Sequence, residues 1–518
     1  MTDIPLGAGD TRESLELEDE AATLAFAQWL AGYIEPGEFI TLTGDLGAGK
    51  TTLARGFLRA LTGDEQLEAP SPTFTLIQTY DGPAYPIVHA DFYRLRGADE
   101  LHQLGWDEII DGAVTLLEWP EKAESVLPDD RLEIALRFDA TRGDSFRRAE
   151  LTARGAAAER FGRARAVERL LAGVGWSDAT RTPLHGDAST RAYERLIRPD
   201  GQSAILMISP PRAASAVLRF GKTYPELAKL SPDIRAFIAM DEGLRAAGLS
   251  TPEIFAHRVT DGLALIEDFG DETVAGPDGP NPSRYAEATS LLAQLHSRAL
   301  PYELPMAGDE YVIPVYDIDA MLIEVELALD WYAPAVARGA PSSGARVQFA
   351  GLWREALGPI LAAPVTWTLR DFHSPNLHWL ASREGVKRLG LIDFQDAVFG
   401  PPAYDVASLL QDARVEVSAD LEMRLIAFYA RLRAEKDTSF DLENFSAAYA
   451  AMGAQRATKI LGIFTRLDRR DGKPQYLKHL PRIERTLAKN LSHPILQPLR
   501  RWFETHLPRA LGVSEIQG

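Results

Sequence analysis

The stretch from Phe39 to Gly63, "FITLTGDLGAGKTTLARGFLRALTG", constrains this chain more than any other. An apolar extended run, "FITLT", enters a glycine-rich turn and leaves it through a helical stretch that Gly63 can close. Gly44, Gly49, Lys50 and Thr51 meet the spacing G-x-x-x-x-G-K-S/T, with Gly47 and Thr52 in the same turn. Glycines let successive backbone N–H groups point inward at phosphate oxygens. Lys50 adds a positive charge there, and the Thr51 hydroxyl suits Mg²⁺. The expectation is a nucleotide-binding loop between a strand and a helix.

Around it, "TLIQTY", "AYPIVHADFY", "AVTLLEW" and "RLEIALRF" read as further short strands. Leu17 to Ile34 carries apolar residues at mostly helical spacing. Strands alternating with helices predict a three-layer α/β domain. At 518 residues the chain exceeds one hydrophobic core. The texture changes between Asp139 and Ala166, where "RGDSFRRAELTARGAAAERFGRARA" is rich in Arg, Ala and Gly. This stretch reads as a solvated hinge, which sets a boundary near Gly155 and domains of 1–155 and 156–518. In the second, "RAYERLIRP" with "QSAILMISPP", and "STPEIFAHRV" with "GLALIEDFGD", read as strand pairs. Helices dominate beyond Pro282. A sheet-rich lobe over about 163–270 followed by a helical lobe over about 271–518 is the expected α+β architecture.

Charge and composition exclude some function classes. A formal net charge of −19 is the wrong sign for a tight, direct nucleic-acid binder, so any link to tRNA is expected to be indirect. With no cysteine there is no disulfide, thiolate metal site or cysteine nucleophile. The acidic N-terminal stretch does not read as an export signal, and "AATLAFAQWLAGYI" is too short to span a bilayer. A cytoplasmic enzyme without membrane association is expected.

The glycine loop is followed by "SPTFTLIQTY", "HADFYRL" and "LLEWPE". In this order the four motifs resemble the TsaE family, the ATPase subunit of the bacterial machinery that makes threonylcarbamoyladenosine in tRNA. The resemblance covers about residues 15–155. It implies slow ATP hydrolysis within a complex with the other subunits of that machinery. It also implies a nucleotide-responsive loop at Ser71, Pro72, Thr73 and Phe74, and acidic site residues at Asp91 and Glu118. The residues agree: Glu118 ends the apolar run "VTLL", where a carboxylate reaches a Mg²⁺ held by Thr51. Asp91, after "YPIVHA", would hold the metal's water or orient the attacking one. His89 reads as structural, and Trp119 as packing.

A second phosphate-handling pattern lies in "LRDFHSPNLH", residues 369–378. In kinases the catalytic-loop Asp accepts the substrate hydroxyl proton and an Asn five positions later holds Mg²⁺. Asp371 and Asn376 have that spacing, and Asp393 in "LGLIDFQDA" suits a second metal ligand. Asp268-Phe269-Gly270 copies the kinase metal motif in letters but precedes the catalytic loop, so it reads as the hinge between the lobes. The phosphate-covering loop is expected at "HGDASTRAYERL", with Ser189, Thr190 and Arg191 in contact with nucleotide. The lysine expected on the third strand is absent, since Met207 and Ile208 stand there. Arg191 is the expected substitute cation.

The segments "GDASTRAYERL", "LIEDFGD", "LRDFHSPNLHWL" and "LIDFQDAVFGPPAYDVASLLQD" resemble the aminoglycoside-phosphotransferase-like sugar kinases. Among these they are similar to the anomeric kinases of N-acetylmuramate and N-acetylglucosamine, over about residues 163–510. The resemblance implies ATP and Mg²⁺ as cofactors, an amino-sugar acceptor, Asp371 as base, and Asp405 bracing the loop. His373 reads as scaffold, and Glu324 and Trp331 in "EVELALDWY" are given no site role. Ile208, Ser209 and Pro375 depart from the family pattern. Other acceptors stay open at this point, namely an aminoglycoside, choline or homoserine, as does a nucleotide-binding pseudokinase that regulates the ATPase.

Overall fold

The computed structural model describes residues 10–82, 85–97, 99–139, 141–184, 191–212, 215–306, 309–336 and 340–512. The chain forms two compact units, Met1–Gly173 and Val174–Gly518.

The first unit is built on seven strands: β1 (Thr11–Leu17), β2 (Phe39–Thr43), β3 (Ile77–Asp81), β4 (Pro86–Asp91), β5 (Val114–Glu118), β6 (Arg131–Phe138) and β7 (Arg147–Arg154). Their order is β1-β7-β6-β2-β5-β4-β3. The centre is parallel, β2 with β5 and β6 and β4 with β5, and the remaining pairings are antiparallel. Helices α1 (Glu20–Ala31), α2 (Lys50–Thr62), α3 (Asp99–Gln103), α4 (Trp106–Ile110) and α5 (Ala156–Gly173) complete it.

The period of two in β2 explains the layers. Ile40 and Leu42 face a core with Leu53, Phe57 and Leu61 of α2, whereas Phe39 faces Val88, Phe92, Trp106 and Leu117. A strand covered on both faces must be apolar throughout, and β2 is. The three-layer α/β expectation holds.

Two sequence readings change. Leu17 ends a strand rather than opening a helix, because β1 pairs with β7 along its whole length. The first helix starts only at Glu20, where the Asp19 carboxylate accepts the Ala22 N–H at 2.8 Å. The arginine-rich stretch is no solvated hinge. Arg154 bonds Glu133 at 2.8 Å, Arg160 pairs with Glu38, and Arg165 with Glu13. Phe161 and Ala158 of α5 join the first unit's core, so the chain divides after Gly173 rather than near Gly155.

The second unit opens with a five-stranded antiparallel sheet ordered β13-β14-β10-β9-β8. Its strands are β8 (Thr180–Leu184), β9 (Ala192–Ile197), β10 (Ser203–Ile208), β13 (Ile254–Arg258) and β14 (Leu263–Glu267). Between β10 and β13 lie the hairpin β11 (Val217–Arg219) and β12 (Lys222–Thr223), then α6 (Tyr224–Leu227) and α7 (Arg235–Ala246). The helical part holds α8 (Pro282–Leu295), α9 (Ile318–Leu327), α10 (Ala333–Val336), α11 (Ser343–Leu361), α12 (Ala403–Leu410), α13 (Ala419–Lys436) and the 30-residue α14 (Leu442–Asp471). Short strands Thr366–Thr368, Leu377–Trp379 and Leu389–Leu391 interrupt it and carry the polar motifs. One continuous core, with Tyr285, Phe349, Trp353 and Leu461 fully buried, fastens this part together.

Candidate active sites

In the first unit the chain turns sharply from β2 into α2. Gly44 has φ +140°, and a Cβ there would lie 2.4 Å from the Leu136 carbonyl oxygen, so only glycine fits. Gly49 (φ +102°) opens α2 in a left-handed conformation. Lys50 Nζ donates to the Gly44 carbonyl at 2.7 Å and the Asp45 carbonyl at 3.1 Å. It also lies 4.0 Å from the centre of the Trp119 ring. Burial pushes the Lys50 ammonium below the usual lysine range, against the fields of Glu118, Glu121 and Asp91.

Strand register delivers the two acids. Asp91 and Glu118 end neighbouring parallel strands and face each other in the β4–β5 pair. Glu118 Oε1 lies 3.2 Å from His89 Nε2, both side chains buried. Asp91 Oδ2 accepts the Thr73 hydroxyl at 2.6 Å and also the Ser71 hydroxyl, and Oδ1 accepts the Tyr93 N–H at 2.8 Å. Asp91 therefore clasps the Ser-Pro-Thr-Phe segment. Gly47, Gly49, Lys50, Thr51 and Thr52 share one cavity of about 360 Å³ with Ser71, Thr73, Asp91 and Glu118. Gly44 does not line it and acts through its backbone. Phe74 projects away from the core, under the Arg94 guanidinium at 4.0 Å.

One residue of this site escapes a reading of the sequence, and another reads there as packing alone. Arg147 of β7 donates to the carbonyls of Ala48 (2.9 Å) and Gly47 (3.3 Å) and so clamps the loop backbone. It sits about a hundred positions away in sequence, with no motif to mark it. Trp119 does more than pack: it holds φ +59°, an uncommon conformation for a bulky residue, and puts its ring beneath Lys50.

In the second unit the catalytic-type loop follows the strand Thr366–Thr368. Asp405, fully buried at the start of α12, accepts the N–H groups of Leu369 (2.7 Å) and Arg370 (2.9 Å). Asn376 Nδ2 donates to the Asp371 carbonyl at 3.0 Å and to Asp393 Oδ2 at 3.3 Å. Gln395 Nε2 donates to Asp393 Oδ1 at 2.8 Å. Asp371, Asn376 and Asp393 thus lie close together. Burial and the nearby Asp371 push the Asp393 carboxyl up to about 6. Burial lowers the His373 imidazole to about 4, which leaves it neutral near pH 7.

Ser189 and Thr190 lie outside the described residues, so their expected nucleotide contacts receive no structural account. Arg191 is described. Its Nη1 lies 3.0 Å from Asp393 Oδ1 and its Nη2 3.5 Å from Asp396 Oδ2. Met207 of β10 is buried in the core. Asp268 is held by Arg195 at 2.9 Å and caps its own turn by accepting the Gly270 N–H, with Glu272 and Val274 bonded to the strand Leu377–Trp379. That is the connecting role its place in the sequence suggested.

Glu324 was given no site role, and its surroundings correct that. It is completely buried under the loop. It pairs with Arg370 and, at 2.8 Å, with Lys459, and it accepts from the Tyr316 hydroxyl and from Gln455 at 3.0 Å. A helical stripe of Leu and Trp hides such a role, because only the fold brings Arg370 and α14 to the same carboxylate.

Thr51 and Glu118 line one cavity, and the Asp393 carboxylate lies beside the Asn376 side chain, whose Nδ2 faces it; hydroxyl, carboxylate and amide groups are residue types suited to Mg²⁺. Among the described residues there is no cluster of three or more His, Cys, Asp or Glu able to hold a metal, and no helix long and apolar enough to cross a membrane.

A phosphate loop with strand-end acids, and a two-lobed unit with an Asp–Asn–Asp cluster, define a P-loop domain joined to a kinase-like phosphotransferase domain. The model for threonylcarbamoyl adenosine biosynthesis protein TsaE matches residues 17–147, and that of the phosphotransferase enzyme family matches residues 180–439, half of the chain. The N-acetylmuramate/N-acetylglucosamine kinase of Caulobacter vibrioides is 35% identical over 353 residues, 65% of this chain and 95% of that protein. TsaE of Bacillus subtilis is 42% identical over 134 residues, 26% of this chain and 80% of its own length, and TsaE of Rickettsia bellii is 39% identical over 122 residues, 24% and 84%. The chain belongs to the TsaE family in its first unit and to the phosphotransferase enzyme family in its second, and it is an enzyme that uses ATP.

Proposed function

We propose that the protein is bifunctional. The first unit is the ATPase subunit for N6-threonylcarbamoyladenosine modification of tRNA, working with the other subunits of that machinery and meeting tRNA only through them. The second phosphorylates N-acetylmuramate or N-acetylglucosamine at the anomeric hydroxyl. The observation that carries the second assignment is the convergence of Asp371, Asn376 and Asp393 in a chain 35% identical to a kinase of that name. Both reactions belong in the cytoplasm, where ATP and the acceptors are found together.

In the second site Asp371 takes the proton of the anomeric hydroxyl as its oxygen attacks the γ-phosphorus, and the bond from that phosphorus to the ADP oxygen breaks. The products are a sugar 1-phosphate and ADP. Asp405 fixes the backbone that carries Asp371, so the carboxylate meets the hydroxyl without reorganisation. Asn376 and Asp393 would hold Mg²⁺, which when bound neutralises charge on the phosphates. Arg191 is the cation that stands in for the absent lysine.

In the first site Lys50 and the backbone amides of the glycine loop would hold the triphosphate, and Thr51 and Glu118 would hold Mg²⁺, which when bound neutralises charge on the phosphates. Asp91 links the Ser71–Thr73 hydroxyls to the strand ends, so loop position follows what occupies the cavity. Incubating the purified chain with ATP and each sugar, and following ³¹P spectra for an anomeric phosphate, tests the kinase assignment. Absence of that signal with both sugars would end it.

A further inference from the structure

Helix α14 brings Arg456 beside the catalytic loop without a counter-charge. Arg456 is only 6% exposed, and among the described residues its guanidinium has no hydrogen-bond acceptor and no ion-pair partner. The cations around it differ. Arg482 bonds the Ala413 carbonyl at 3.2 Å and Glu416 at 3.3 Å. Lys459, one turn along α14, is held by Glu324 at 2.8 Å. Arg370 is held by the same carboxylate.

Arg456 lines a shallow depression together with Gln411, Ala413, Gly453, Arg482 and Thr486. At position 453 a Cβ would stand 2.3 Å from Gln411 Oε1 and 2.5 Å from Asn490 Nδ2, so this floor admits no side chain. The depression adjoins the catalytic loop: Asp412, between the lining residues Gln411 and Ala413, accepts the Ser374 N–H at 3.0 Å, three residues from Asp371.

An arginine side chain this buried is normally paired. The nitrogens of Arg456 stay open at the depression, where an anion can reach them. The need is sharper here because the chain carries a formal charge of −19, so an anionic acceptor approaches against the mean field and requires a local cation. A carboxylate matches the planar fork of an arginine. Of the two acceptors named for the proposed kinase, only N-acetylmuramate has one, on its lactyl ether.

We infer that Arg456 is a specificity-determining residue that binds the carboxylate of an acidic amino-sugar acceptor and so favours N-acetylmuramate over N-acetylglucosamine. This rests on the second unit being an amino-sugar kinase. The test compares kcat/KM for the two sugars, and for the methyl ester of N-acetylmuramate, in the full chain and its Arg456→Gln and Arg456→Lys variants.

In Arg456→Gln the ratio of kcat/KM for the acid to that for N-acetylglucosamine should fall at least about tenfold, the scale of one charge-assisted hydrogen bond. Arg456→Lys should keep part of the preference. The ester should behave in the unaltered chain as the acid does in the variant. A ratio unchanged in Arg456→Gln, or a loss shared equally by both sugars in a variant that still folds by circular dichroism, overturns the inference and leaves the kinase assignment standing. An unaltered chain that phosphorylates neither sugar overturns both.

Discussion

Arg191 Nη1 lies 3.0 Å from Asp393 Oδ1, an arginine immediately before β9 meeting the acid expected to hold metal. Kinases commonly place a lysine on the third strand; here Met207 is buried in that strand and the cation arrives from the preceding one. Arg191→Gln should lower kcat/KM for ATP in sugar phosphorylation by about tenfold or more, the loss of one charged contact, and Arg191→Lys should recover part of it. Steady-state kinetics with ATP varied would show this, and an unchanged value would remove Arg191 from the site.

The two units divide the chemistry, so their variants should separate it. Lys50→Ala should remove ATP hydrolysis by the first unit while sugar phosphorylation continues. Asp371→Asn should do the reverse, lowering sugar phosphorylation by about 10²-fold or more through loss of the base. Parallel assays of phosphate release and sugar phosphate in both variants check it, and loss of sugar phosphorylation in Lys50→Ala alone would contradict the division.

Glu324, fully buried, neutralises two cations, Arg370 and Lys459. Glu324→Gln leaves both uncompensated. A destabilisation of about 3–5 kcal/mol is expected, the usual scale for breaking a buried pair. Denaturant unfolding of the second unit's transition measures it. Activity should fall in parallel, because Arg370 adjoins Asp371.

Asp241 on α7 supplies a pH test. It is buried, its Oδ1 has no hydrogen-bond partner, and burial pushes its carboxyl up to about 7. The folded chain then binds a proton more tightly than the unfolded chain does. This group's contribution to stability is greatest below the ordinary carboxylate range, and it is lost as pH rises towards 7. Asp241→Asn should flatten the fall in Tm between about pH 4 and 7 and raise stability at pH 8 by up to about 4 kcal/mol, seen as a higher Tm. Thermal scans across that range decide the matter; an unaltered slope would place the effect elsewhere.

The nucleotide loop was legible because its chemistry is local. Gly44, Gly49, Lys50 and Thr51 are near neighbours, and the strand and helix flanking them are marked by their own periodicity. Asp371 and Asn376 were legible for the same reason. The helix α5 was misassigned because its apolar residues, such as Phe161, give no sign of which core they enter.

What the sequence determined, then, was the set of groups able to handle phosphate and the order of the strands and helices that carry them, since both follow from short-range spacing. What only the tertiary structure decided was which distant groups meet: Arg147 with the glycine loop, Arg191 with Asp393, and Glu324 with Arg370 and Lys459. These pairs lie far apart along the chain. Their contact depends on strand order and helix packing, which a local pattern of residues does not encode.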